Sequence, residues 1–198
     1  PVTAIAGVAN IGEDTNWTGH HFAQANWYCF GRLAWNYALT AEQIADEWIR
    51  MTFSANEQFI QPVKEMMLSS RETVVNYMMP LGLHHIFAEG HHYGPQPWYD
   101  KAPREDWTCT YYHKADAYGI GFDRTTSGSN AVSQYFSPLK ETFNNIETCP
   151  ENLLLWFHHA PWNHTMKNGR ILWDELCYKY DAGVGQVREY QKTWDRME

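Results

Sequence analysis

One stretch of this chain reads as a buried β-strand, and one strand cannot make a sheet. Residues 3–11, Thr-Ala-Ile-Ala-Gly-Val-Ala-Asn-Ile, form a short run of small and apolar residues closed by Gly12, Glu13 and Asp14. A run that is apolar on both faces suits a strand covered on both sides, as in a parallel sheet. No second strand of that kind follows, so its sheet partners are expected before residue 1. Everything after it must be organised by helices or by irregular packing.

The helical signals are local and clear. Residues 20–35 place Phe22, Ala25, Trp27 or Tyr28, and Leu33 near the helical period. Thr40 with Gln43 three residues on has the form of a capping box, and residues 41–53 then set Ile44, Trp48 and Ile49 on one face. Residues 57–79 read as a longer helix. Its stripe is Phe59, Val63, Met66, Met67, Val74 and Tyr77, with Pro62 expected in its first turn. From about 82 to 147 the period fades into Gly, Pro, Asp, Ser and aromatic residues, a length that in a compact domain marks a functional segment. Thr148 and Glu151 suggest a second capping box opening a short buried helix. Residues 169–183 and 184–197 read as two closing helices.

Composition excludes some functions. With 15 basic against 23 acidic residues and no basic cluster, the chain is not built for nucleic acid. Its longest apolar run is far short of the roughly 20 residues of a membrane helix. Four dispersed cysteines without a CxxC are no disulfide scaffold. Ten Trp, twelve Tyr and nine Phe suit either a core of large rings or stacking on sugar rings.

The chemical candidates are scattered. Four His-His pairs stand at His20-His21, His84-His85, His91-His92 and His158-His159, the second and third in one stretch. Helical metal sites use histidines three or four apart, and adjacent ones diverge by about 100° on a helix. The pairs are therefore expected to be hydrogen-bonded packing, with a metal site as the alternative. Asp123-Arg124 reads as an ion pair ordering a loop, and Asp174-Glu175 as a solvated helix face. Glu13 and Asp14 follow the lone strand, where barrel enzymes place functional groups.

Five stretches carry a family resemblance, in order along the chain: GVANIGEDTNWTGHHFAQANWYCFGRLAWN, GHHYGPQPW, DWTCTYYHKADAYGIGFDRT, TCPENLLLWFHHAPWNH and GVGQVREYQKTW. Together they resemble the C-terminal region of family-67 α-glucuronidases. The resemblance implies an enzyme that removes α-1,2-linked, often 4-O-methylated, glucuronic acid from xylo-oligosaccharides with inversion and without a cofactor or metal. It implies a mainly α fold, a helical domain with a long irregular aromatic and histidine-rich segment, preceded by one strand-helix unit of a (β/α)8 barrel. Residues 1–38 would be the last barrel unit and 39–198 the helical domain, continuing past Glu198. The acid and base carboxylates, about 6.5–9.5 Å apart in an inverting enzyme, would lie upstream, leaving none to assign here. Partners implied are the glucuronoxylo-oligosaccharide, the enzyme's own barrel and a second copy in a homodimer. In the sugar pocket the resemblance points to Trp107, with Asp14, Asn16 and Trp17 after the last strand. His92, Tyr93, Asp123 and Arg124 would support the loop. A stand-alone carbohydrate-binding module is the alternative that the aromatic content keeps open.

Overall fold

The computed structural model describes residues 4–8, 12–13, 15, 18–92 and 94–197. Asp14, Asn16, Trp17 and Tyr93 lie outside the described residues. The chain is mainly helical and divides into two compact units: residues 1–69 with 193–198, and residues 70–192.

Unit 1 follows the apolar period closely. Helix α1 spans His21–Trp35, capped by His20 Nδ1, which accepts from Ala23 N–H. Helix α2 spans Ala41–Thr52, and its capping box forms on both sides: Thr40 accepts from Gln43 N–H while Gln43 Oε1 accepts from Thr40 N–H at 2.9 Å. Helix α3 spans Glu57–Met78, with its first residues in this unit. Pro62 falls in the second turn of α3, not the first. Ala25, Trp48, Ile49, Ile60 and Val63 make the core, edged by Phe22, Phe59 and Trp194. A bidentate pair from Arg32 to Glu47, at 2.7 and 3.0 Å, joins α1 to α2.

Of the expected strand at 3–11, residues 3 and 9–11 lie outside the described residues, and no strand is formed by the rest. Residues 4–8 join no sheet, and Ile5 and Val8 are exposed. A strand exists only through hydrogen bonds to a partner, and none of the described residues supplies one. Gly7 nonetheless lies flat against Trp27 of α1, where a Cβ would come within 2.6 Å of the indole.

Unit 2 is tied together by short elements. After α3 come 3₁₀ turns at Pro80–Gly82, Glu89–His91 and Glu105–Trp107, then helix α4, Cys109–His113. Strand β1, Gly119–Ile120, pairs antiparallel with β2, Ala160–Pro161, two residues each and too short for a period to register. Between them lie helix α5, Leu139–Asn144, and helix α6, Leu154–Phe157. Leu81, Leu83, Ile120, Leu154, Leu155, Met166 and Leu172 are among the residues of one core cluster; Val132, Cys149 and Phe157 make a second.

Two expectations about helix ends fail for physical reasons. The Thr148 capping box does not form. Cys149 precedes a proline and is biased away from helical backbone, and Pro150 itself has ψ 131°, so the helical turn starts only at Glu151. Thr148 instead donates to the carbonyls of Thr142 and Asn145. The two closing helices are one, α7, Leu172–Asp195. Gly183 does not end it. It lets the α3 backbone come close, since a Cβ there would sit 2.8 Å from Tyr77 N. Glu175, expected in solvent, is 5% exposed and accepts from Asn168 and Arg170, both at 2.9 Å. Asp174 beside it is exposed.

Candidate functional site

The chemistry-bearing side chains of unit 2 gather on the irregular segment. After Leu83 the chain runs without helix through His84 and His85, then folds back as a short hairpin. Phe87 bridges Pro95, Ala88 N–H bonds Gly94 and Gln96 N–H bonds Ile86. Its turn places Gly90 and His91 at φ 60° and 66°. A positive φ is uncommon for a residue with a side chain, and here it throws the His91 ring back onto the hairpin's root. His91 Nδ1 then lies 3.4 Å from His84 Nε2, and His91 Nε2 lies 2.9 Å from the Asp106 carbonyl.

That second bond reaches the turn that carries Trp107. Arg104 grips Asp106 through two nitrogens, at 2.9 and 2.5 Å, and its guanidinium lies 5.6 Å from the centre of the Trp107 ring. Thr108 donates to the Glu105 carbonyl and caps α4 by accepting from Tyr111 N–H. Trp107 is thus a 41% exposed ring on a turn braced from both sides. The bond to that turn comes from His91; His92, the expected support, is exposed.

His113, at the end of α4, is buried and bonds the His84 carbonyl through Nε2 at 2.7 Å. Burial, reinforced by the neighbouring histidines, pushes His84 down to about 3, and burial also lowers His85 and His113. These imidazoles are neutral at physiological pH, each with one donor and one acceptor nitrogen.

Asp123 and Arg124 are not an ion pair. The Asp123 carboxylate is filled by its own turn, accepting from Thr125 N–H and Oγ1 at 2.9 and 2.6 Å and from Ser127 Oγ at 2.9 Å. Burial opposes its ionisation, but these bonds hold its pKa below the usual carboxylate value. Arg124 points elsewhere. It donates to the Trp156 carbonyl at 2.5 Å and stacks 3.9 Å over the Trp156 ring, with Phe122 at 4.7 Å and Tyr112 at 5.7 Å. Burial lowers its pKa, although a guanidinium stays charged at neutral pH. No carboxylate among the described residues pairs with it. The aromatic content of the segment serves in part to box this cation.

An open depression of about 400 Å³ adjoins this cluster, lined by Lys114, Asp116, Phe122, Asp123, Ser129 and His159. His159 bonds the Gly121 carbonyl through Nδ1 at 3.0 Å and faces Asp116 through Nε2 at 3.4 Å. Of the sequence-predicted residues, Asp123 and Arg124 adjoin this depression and its aromatic wall, and Trp107 stands on the braced turn. Sequence reasoning passed over Trp156 and Phe122, and it weighed His91 only as a member of a histidine pair. The bonds of His91 and Trp156 reach 7 to 32 residues along the chain, which no periodicity reports.

A family model described as "Glycosyl hydrolase family 67 C-terminus" matches residues 18–198. The chain is 35% identical over 193 residues to Alpha-glucuronidase A of Emericella nidulans, covering 96% of this chain and 22% of that protein. It is 33% identical over 194 residues to Alpha-glucuronidase A of Aspergillus tubingensis, covering 97% and 23%. The chain therefore spans less than a quarter of the curated relatives it matches.

Proposed function

Because the chain belongs to glycosyl hydrolase family 67 and carries that family's C-terminus, we propose that it is the C-terminal part of an α-glucuronidase. The substrate is a xylo-oligosaccharide bearing α-1,2-linked (4-O-methyl-)glucuronic acid, cleaved with inversion at carboxylates upstream of residue 1. This part lends Trp107 to the sugar pocket as an apolar wall. The observation that carries the reading is the Trp107 ring itself. It is large and half exposed, and it is held by Arg104 and the His91–Asp106 bond rather than buried in either core of unit 2. An aromatic ring with no other ring against it among the described residues suits a sugar's C–H surface.

The remaining partners fit the surface. Ile5, Val8, Trp35 and Tyr37 in unit 1 are exposed large apolar or aromatic residues. We assign these residues to contact with the catalytic barrel, with residues 1–38 as the last barrel unit; the contact of Gly7 with Trp27 supports a strand laid on its following helix. Exposed Phe136 and Trp173 of unit 2 are offered to the homodimer.

In the full-length enzyme, Trp107→Ala should lower kcat/KM on aldouronic acids by at least about tenfold, equivalent to about 1.4 kcal/mol. Trp107→Phe should recover part of it. Unchanged kinetics in the alanine variant would remove Trp107 from the pocket. The isolated chain should release no glucuronate. Saturable binding of glucuronoxylo-oligosaccharides by the isolated chain would favour a carbohydrate-binding module instead.

A further inference from the structure

Three imidazoles of the irregular segment converge on one point. His84 Nε2 and His91 Nδ1 are 3.4 Å apart, and with one ring nitrogen of His85 the three possible ligand atoms all lie within 4.8 Å of one another. We propose that His84, His85 and His91 form a binding site for a divalent transition-metal ion of the zinc class, its fourth position left to water.

The spacing fits the ion. Four nitrogens about 2.0–2.1 Å from a tetrahedral zinc stand about 3.3–3.4 Å from each other, the separation already present between His84 and His91. The orientation of His91 is fixed as well. The Asp106 carbonyl can only accept, so His91 Nε2 carries the hydrogen and Nδ1 presents its lone pair to the gap. A backbone carbonyl holding the far nitrogen is the arrangement that orients metal-bound histidines. In the metal-free protein His84 Nε2–H donates into that lone pair. When the His84 proton moves to Nδ1, two lone pairs face the same gap and an ion takes the place of the shared hydrogen.

The site has a cost and a boundary. His85 Nδ1 accepts from Phe87 N–H at 3.2 Å. Coordination through either nitrogen of His85 gives up this bond, which keeps affinity below that of a fully preorganised three-histidine site. His113 stays outside, since its Nε2 is committed to the His84 carbonyl. An all-imidazole donor set selects zinc, copper or nickel over magnesium or calcium. Bound there, the ion ties the hairpin root to its turn and, through Asp106, to the turn of Trp107. It takes no part in hydrolysis.

The test is cobalt(II) titration of the chelator-treated full chain, followed by visible d–d absorption and competition with zinc. One equivalent should bind with tetrahedral bands. His84→Ala and His91→Ala should each weaken binding at least tenfold, whereas His92→Ala and the double variant His20→Ala/His21→Ala should leave it unchanged. Absence of cobalt binding in the unaltered chain overturns the proposal. So does binding that survives His84→Ala/His91→Ala and is lost with the pair at 20 and 21. Should the alanine variants unfold, imidazole nitrogen NMR of the unaltered chain decides: zinc must shift the ring nitrogens of His84, His85 and His91 and leave those of His158 and His159 in place.

Discussion

Around Ile49, in unit 1, the chain is held by apolar side chains that recur at the helical period and close on one another from α1, α2 and α3. Around Gly121, in unit 2, it is held at points where no side chain fits. Gly121 N–H bonds the His113 carbonyl at 2.7 Å, its own carbonyl receives His159, and its φ is 107°. A Cβ there would lie 2.2 Å from the His158 carbonyl oxygen and 3.0 Å from that of Leu155. Volume matters in the first region and its absence matters in the second. Helices satisfy their own backbone and need only bury a face. The irregular segment must satisfy each N–H and C=O by meeting another part of the chain, and such meetings require close backbone approach.

The sharpest way to break this contrast is to add a methyl group where unit 2 has none and remove several where unit 1 has them. Gly121→Ala combines a left-handed backbone with a backbone clash and should cost about 4 kcal/mol. Ile49→Ala removes a fully buried side chain and should cost about 3 kcal/mol. Denaturant unfolding of both variants measures the two costs. If Gly121→Ala is the milder, backbone approach is not what holds the segment.

Much of unit 1 was legible in the sequence because its signals are local. The Thr40–Gln43 box and the Ile44, Trp48 and Ile49 face each follow from residues within one or two turns, as does, in unit 2, the end of α3 at Met78. The aperiodic stretch after residue 82 was legible as aperiodic, but not in what it builds. The β1–β2 pair joins residues about 40 positions apart in two-residue pieces. The convergence of His84, His85 and His91 depends on a hairpin turn with His91 at positive φ, so a rule drawn from helical histidine spacing did not apply. Gly183 suggested a helix end because its reason for being glycine is Tyr77, more than a hundred residues earlier. The charges at 123–124 and at Glu175 were misread for a related reason. Adjacent charges in sequence say nothing of which buried partner each one finds.

Glu175 sharpens the contrast on the side of electrostatics. Burial alone would raise its pKa, but hydrogen bonds from Asn168 and Arg170 hold it below the usual 4.5. Glu175→Ala should cost about 2 kcal/mol, the range for hydrogen bonds to a charged group, and urea midpoints at pH 7 would measure it. Unit 2 also carries a surface pair, Arg71–Glu72, that is exposed on both sides, and Glu72→Ala should leave the midpoint unchanged.

The same unit should feel acid earlier. His158 is buried, its Nε2 has no hydrogen-bond partner among the described residues, and burial lowers its pKa below 6.5. The unfolded chain then takes up this proton first, so stability is intact above about pH 6.5 and declines as pH falls below it. Glu175, also depressed when folded, adds its loss only below about pH 4.5. Burial depresses His84, His85 and His113 in the same direction, and they add to this loss. Thermal unfolding from pH 7.5 to 4 should show a fall beginning near 6.5, and His158→Gln should reduce that first part without abolishing it. A first phase of undiminished size in this variant would assign it to those three histidines alone.

The smallest expected effect separates two threonines with the same sequence pattern. Thr40 and Thr148 are each followed three residues later by Gln or Glu, yet only Thr40 accepts from the backbone N–H it was expected to cap. Thr40→Ala should therefore cost about 1 kcal/mol, the usual worth of a helix N-cap, and Gln43→Ala should add less than its own separate cost, because the two bonds form one box. Thr148 donates to carbonyls instead, and Glu151 accepts from Lys167 N–H at 2.5 Å across the loop. Thr148→Ala and Glu151→Ala should thus be additive within experimental error. A double-mutant cycle at each pair reads the difference. Coupling at 40 and 43 with none at 148 and 151 is expected; coupling at the second pair would mean that the proline between them does not prevent the box from forming in solution.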